Sequence, residues 1–200
     1  MILIHSTSVN DVPLSFGEYE GRLIAGIGSS LRVFDYGQKR LLLKCQNFNF
    51  QSAINNIRTF KNRIVCTDMA DSFHVLKYRP EECLLYIFVD DIIPRWITTF
   101  EILDVDTLVG ADKFGNIFVY RLPSGCDDLA EDDPTATKFK WENGFLNGAE
   151  FKLDLITHFH TGEMITAIKK TKLSPSVREV LLYSTSTGSL GVLLPFEKQS

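Results

Sequence analysis

Apolar positions along this chain come in short runs, paired across tight polar turns, and the layout recurs. In "TLVGADKFGNIFVYRL", Thr107 to Leu122, two apolar runs flank such a turn. "RLIAGIGSSLRVFDY" (Arg22 to Tyr36), "RIVCTDMADSFHVLKY" (Arg63 to Tyr78) and "VLLYSTSTGSLGVLLPF" (Val180 to Phe196) are built the same way. Apolar runs of this length bounded by turn residues predict strand, tight turn, strand. Gly28, Gly115 and Gly188 can supply positive φ at three of the turns, and Asn116 tolerates it. The second turn, Met69-Ala70-Asp71, carries no glycine.

Further strands are expected on both sides of each hairpin. "KRLLLKC" (Lys39 to Cys45), "CLLYIFVDD" (Cys83 to Asp91) and "FKLDLITHFH" (Phe151 to His160) follow the hairpins, while "SAINNIRTF" (Ser52 to Phe60), "RWITTFEILDVD" (Arg95 to Asp106) and "EMITAIKKTKL" (Glu163 to Leu173) precede them. The hairpins start 41, 44 and 73 residues apart. Removing an irregular excursion of roughly 29 residues returns the last interval to the ~40 to 45 residues of a four-stranded propeller blade. "IFVY" and "LLYIFV" are apolar at every position, so both faces of those strands are covered. Parallel α/β folds also write such strands, but they need an amphipathic crossover helix, for which the short gaps here leave no room. The pattern therefore predicts an all-β chain: a β-propeller with four-stranded antiparallel, WD40-like blades. About four blades are present, either closing as a small ring or forming an arc of a larger one. With no linker between repeats, residues 1–200 read as a single structural unit.

Composition changes this picture little. The chain is 44% hydrophobic, enough for a packed core, and its net charge of -4 offers no basic footprint for nucleic acid. The four cysteines, Cys45, Cys66, Cys83 and Cys126, form no C-x-x-C pair, and three of them end or interrupt apolar runs, which points to free thiols in a reducing compartment. The start, "MILIHSTSVND", lacks the basic lead and the apolar length of a signal peptide. The longest apolar run, Cys83 to Val89, falls far short of the ~20 residues that span a bilayer. An intracellular, soluble protein with no membrane partner is expected.

The excursion runs from Ser124 to Glu150. Its first part carries Asp127, Asp128, Glu131, Asp132, Asp133 and Pro134, and its second carries Phe139, Trp141, Phe145 and Leu146. Either these aromatics pack on the excursion's own blade or they form a partner-docking arm. "PRW", Pro94 to Trp96, opens a blade, and Arg95 can stack on a neighbouring ring or serve a partner.

Signals of chemistry are weak. His158 and His160 lie two apart on a strand, a metal-ligand spacing with only Glu163 near as a third ligand, and structural histidines are the expected reading. Asp104 or Asp106 with Asp68 could serve a propeller hydrolase as acid and nucleophile, but Asp68, Asp71, Asp90, Asp91, Asp104 and Asp106 all stand where turns and caps use aspartate. No phosphate loop or nucleophile elbow is present, so no catalytic residue, metal or cofactor is expected.

Several stretches resemble a known family: "LRVFDYGQKRLLLKCQN", "PRWITTFEILDVDTLVGADKFGNIFVYRLP", "EDDPTATKFKW", "LNGAEFK", "HFHTGE" and "STGSLGVLLPF". Their order and spacing are similar to the multi-propeller family shared by subunit 3 of splicing factor 3b and the large subunits of the damaged-DNA-binding and cleavage and polyadenylation specificity complexes. "RLP", "EDDPT" before Trp141, and "LNGA" point to the splicing branch. The resemblance implies a non-catalytic nuclear scaffold in the ribonucleoprotein that recognises the intron branch site. Its partners would be other splicing factor 3b subunits, above all the helical-repeat subunit, with RNA reached mainly through the complex. It also implies that the chain is part of the C-terminal propeller, an arc of a ring of about seven blades. Trp141, Phe145, Arg95 and Trp96 are the expected partner contacts.

Overall fold

The computed structural model describes residues 6–127, 148–174 and 178–195. Sheet 1 is a meander of β1 (Pro13–Tyr19), β2 (Arg22–Ile27), β3 (Ser30–Tyr36) and β4 (Leu41–Asn47). Sheet 2 repeats it with β5 (Ile54–Phe60), β6 (Arg63–Asp68), β7 (Phe73–Arg79) and β8 (Leu84–Asp90). Sheet 3 begins with β9 (Ile97–Ile102), β10 (Thr107–Asp112) and β11 (Asn116–Arg121). The chain then adds β12 (Phe151–Lys152) to sheet 2 before returning to sheet 3 as β13 (Asp154–His160). Sheet 4 holds β14 (Ile165–Lys172), β15 (Glu179–Thr185) and β16 (Leu190–Leu193). Strand pairing is antiparallel throughout except between β12 and β8. The fold is all-β, built of propeller blades, and each of the four expected hairpins is present. The strand β1 was missed in the sequence because it opens on Pro13 and half of it is polar.

The chain divides into two compact units: Met1–Trp96 with Leu122–Leu153, and Ile97–Arg121 with Asp154–Ser200. In the first, β1 lies against β5. Alternation sends Ile24, Leu31, Val33 and Cys45 of sheet 1 to one face, where they meet Ile54, Ile64, Cys66, Leu76, Leu85 and Ile87 of sheet 2, and Phe50 from the connection joins them. Each fully buried aliphatic side chain here contributes about 1.5–3 kcal/mol. The seam is stitched by polar groups: the Ser15 hydroxyl donates to the Ile54 carbonyl at 2.9 Å, and Asn47 Nδ2 donates to the Leu85 carbonyl at 2.8 Å. Gly26 permits the approach, because a Cβ there would collide with the Ser15 and Ile54 side chains.

The second unit repeats this plan, with β9 against β14. Val109, Ala111, Ile117, Ile165 and Ile168 form its core, and Thr98 Oγ1 donates to the Ile165 carbonyl at 2.6 Å. At the turn before β11, Gly115 has φ +84° and leaves no room for a Cβ beside the Glu163 backbone.

The glycine-free turn of sheet 2 is made differently. Asp68 Oδ1 accepts from the Ala70 backbone N–H at 3.0 Å and from that of Asp71 at 2.5 Å, and Ser72 takes φ +74°. An aspartate turn thus replaces the glycine. Cys45, Cys66 and Cys126 are buried free thiols, while Cys83 is exposed. The expected single strand Phe151 to His160 is in fact two, broken at buried Leu153, whose N–H donates to the Asp90 carbonyl at 2.9 Å.

Candidate interaction site

β8 is apolar to its last residues and then ends on two acids, Asp90 and the adjoining Asp91, both buried. Successive side chains along a strand point to opposite faces, so the two serve different segments. Asp90 accepts from the Ala149 N–H at 3.2 Å and pairs with the Lys152 ammonium. Asp91 accepts from the Ser72 hydroxyl at 2.6 Å and from the Ile93 N–H at 3.2 Å, with Arg95 Nε 3.9 Å away.

Asp90 therefore fastens the end of the excursion. Its start is fastened to the same sheet: Arg63 Nε meets Asp127 Oδ1 at 3.0 Å, and Lys77 Nζ donates to the Asp127 carbonyl at 3.0 Å. Leu122 and Cys126, flanking this clamp, are buried. Although the excursion leaves from β11 and returns to β13, both of its described ends belong to the unit that contains sheet 2. Trp141, Phe145, Phe139 and Leu146 lie outside the described residues.

Asp91 fastens the loop from Ile92 to Trp96, whose outer surface is apolar: Ile92 is 63% exposed, Ile93 and Pro94 are exposed, and Trp96 is 40% exposed. Arg95 is half-buried and turned toward Asp91. The arrangement is a rigid polar base under an apolar tip, which suits binding a protein surface with little loss of loop entropy.

Burial raises the Asp90 carboxyl above the usual range, against the pull of Lys152 and the Ala149 N–H. Burial also raises Asp71, and the charge of Asp68 adds to it. Asp127 behaves oppositely, since Arg63 and Lys77 outweigh its burial and hold it low. For Asp68, the His74 imidazole and the Asp71 and Ala70 N–H groups outweigh burial and lower it.

The other sequence candidates have local structural roles. His158 Nε2 and His160 Nδ1 both reach Asn116 Oδ1, at 3.2 and 2.9 Å, and His158 stacks on Phe118. Asp104 accepts from the Asp106 N–H at 2.9 Å within their own turn. Among the described residues no group of three or more His, Cys, Asp or Glu could hold a metal ion, and no helix is long and apolar enough to cross a membrane. Sequence reasoning noted Asp90, Asp91 and Asp127 without their roles. The available signal was a pair of acids closing a strand that is otherwise apolar on both faces.

The family model for the CPSF A subunit region matches residues 1–200. The chain belongs to that family. Family members similar to it include spliceosome-associated protein 130 A of Arabidopsis thaliana, 47% identical over 194 residues. The probable splicing factor 3B subunit 3 of Dictyostelium discoideum is 45% identical, and the pre-mRNA-splicing factor RSE1 of Mycosarcoma maydis 42%, each over 194 residues. These alignments cover 97% of the chain but only 15–16% of the relatives, so the chain spans about a sixth of their length.

Proposed function

We propose that the chain is one arc of a propeller in a non-enzymatic nuclear scaffold that acts in pre-mRNA splicing, as subunit 3 of splicing factor 3b. Its similarity to splicing proteins supports the process, and the observation that carries the contact site is the Asp90–Asp91 strand end. Two adjacent buried carboxylates hold the excursion and the Ile92–Trp96 loop to one sheet, so a single rigid blade presents both. The occupant of this surface is another subunit of the complex, the helical-repeat one first. The net charge of -4 favours RNA contact made through the complex. A sibling role in DNA-damage recognition, ubiquitin ligation or mRNA 3′-end processing is the second reading, favoured only by the shared family.

Affinity purification of the full-length protein from nuclear extract, with mass spectrometry and RNA sequencing, tests the proposal. Recovery of the helical-repeat splicing subunit with branch-site small nuclear RNA is expected. Recovery of a cullin ligase or polyadenylation factors in their place overturns it. Trp141→Ala is expected to weaken assembly without unfolding the propeller.

A further inference from the structure

β4 and β8 meet on the outer side of the seam between sheets 1 and 2, and each brings a cysteine to it. On β4, Cys45 and Asn47 lie two apart and share a face, and both reach Leu85 of β8. The Leu85 N–H is directed at the Cys45 sulfur, and Asn47 Nδ2 donates to the Leu85 carbonyl at 2.8 Å. Cys83 comes two residues before Leu85, in the turn from Pro80 that leads into β8. The two sulfurs act on each other, and both act on the hydroxyl of Tyr78, the residue that pairs with Leu85 across β7 and β8. They differ in access: Cys45 is buried, whereas Cys83 is exposed, with its sulfur 3.6 Å from the Pro80 carbonyl.

We propose that Cys45 and Cys83 are a redox pair, which a low-molecular-weight disulfide such as oxidised glutathione converts to a reversible disulfide that staples sheet 1 to sheet 2. The exposed Cys83 reacts first. Its thiolate attacks one sulfur of the reagent, an S–S bond to Cys83 forms, and the other half leaves as a thiolate that takes up a proton. Cys45 then gives up its proton and attacks the Cys83 sulfur, displacing the second half as thiol. In sum the two cysteines lose two electrons and two protons, and the reagent gains both. Burial raises the Cys45 thiol, so Cys45 is slow toward reagents in bulk water and reacts with a sulfur delivered beside it. Because Cys83 sits in a turn, it can shift toward Cys45 without breaking a strand ladder. Cys66 and Cys126 are buried and do not compete for the reagent, and Cys66 donates to the His74 carbonyl at 3.8 Å. The partners are 38 residues apart, so the bond closes a long loop and constrains the unfolded chain strongly.

The test treats the purified full-length protein with oxidised glutathione and maps its peptides by mass spectrometry without reduction. A Cys45–Cys83 cross-linked peptide is expected, reversed by reduced glutathione, and amides of β4 and β8 are expected to exchange at least ~10-fold more slowly in the oxidised protein. Cys45→Ser should leave Cys83 carrying glutathione, and Cys83→Ser should leave Cys45 unmodified. Four outcomes overturn the proposal: neither cysteine reacting, the unaltered protein stopping at the glutathione adduct of Cys83, Cys83 bonding to any other cysteine or to a second copy, or Cys45 reacting as fast in Cys83→Ser. None of these readouts requires the splicing complex, so failure here leaves the functional reading untouched, and the converse also holds.

Discussion

The two units are built on one plan, an inner strand of one sheet against the inner strand of the next, yet they finish differently. In the first, β4 covers β8 and the space between the sheets is solid with side chains such as Phe50 and Ile87. In the second, the matching space is open among the described residues, and Phe159 stands half out in solvent. The inner contacts, β1 on β5 and β9 on β14, are made in both units, whereas sealing the outer side depends on whether each sheet has its fourth strand among the described residues. Within sheets 1 and 4 the chain pairs consecutive strands, while every contact between sheets joins strands far apart in sequence.

The largest expected effect attacks the closed side. Phe50→Ala removes the plug between sheets 1 and 2 and should cost about 3–5 kcal/mol. Local opening of β4 and β8, read by hydrogen exchange in the full-length protein, measures it more cleanly than a melting temperature that mixes domains. Asp90→Asn comes next, since it removes the buried charge that pairs with the partly exposed Lys152. We expect a loss of about 2 kcal/mol, seen as faster exchange from Ala149 to Leu153 with the rest of sheet 2 unchanged.

A smaller, pH-dependent effect concerns Asp127. Its carboxyl lies below its ordinary value in the folded protein, so the clamp stabilises above the unfolded pKa and is lost as pH falls through the folded one. Asp127→Asn should therefore loosen the excursion's start by about 1 kcal/mol at neutral pH. The difference from the unaltered protein should shrink toward zero below about pH 4. A difference that grows on acidification would reverse the assignment.

Trp96→Ala should leave stability within about 0.5 kcal/mol while weakening complex recovery by roughly tenfold or more. Equal losses of both would make Trp96 a packing residue. Smallest of all in the isolated 200-residue chain is Phe159→Ala, expected to cost less than about 1 kcal/mol because the side chain is 52% exposed. In the full-length protein the same substitution should cost more if the open space beside it is filled there, which makes the pair of measurements a direct comparison of the two units.

Much of the fold could be read from the residues. Apolar runs at Arg22–Tyr36, Arg63–Tyr78, Thr107–Leu122 and Val180–Phe196 dictated hairpins because short apolar runs split by turn residues leave few other structures. Less of the site could be read. Trp96 and Arg95 stood out by type, but the partner of Arg95 is Asp91 across its own loop, and the anchors of the excursion, Arg63 and Lys77, lie 64 and 50 residues from Asp127. Nothing in local spacing encodes a pair so distant.

By itself, then, the sequence determined the strands, their hairpin registers and the turns, including the aspartate turn at Asp68, since each follows from contacts within a few residues. Only the tertiary structure decided which sheet holds the excursion, that "FKLDLITHFH" breaks at Leu153 to serve two sheets, and which outer core is sealed. Those outcomes depend on long-range burial: a carboxylate such as Asp90 is tolerable inside a protein only where distant groups arrive to satisfy it, and their arrival is a property of the folded chain.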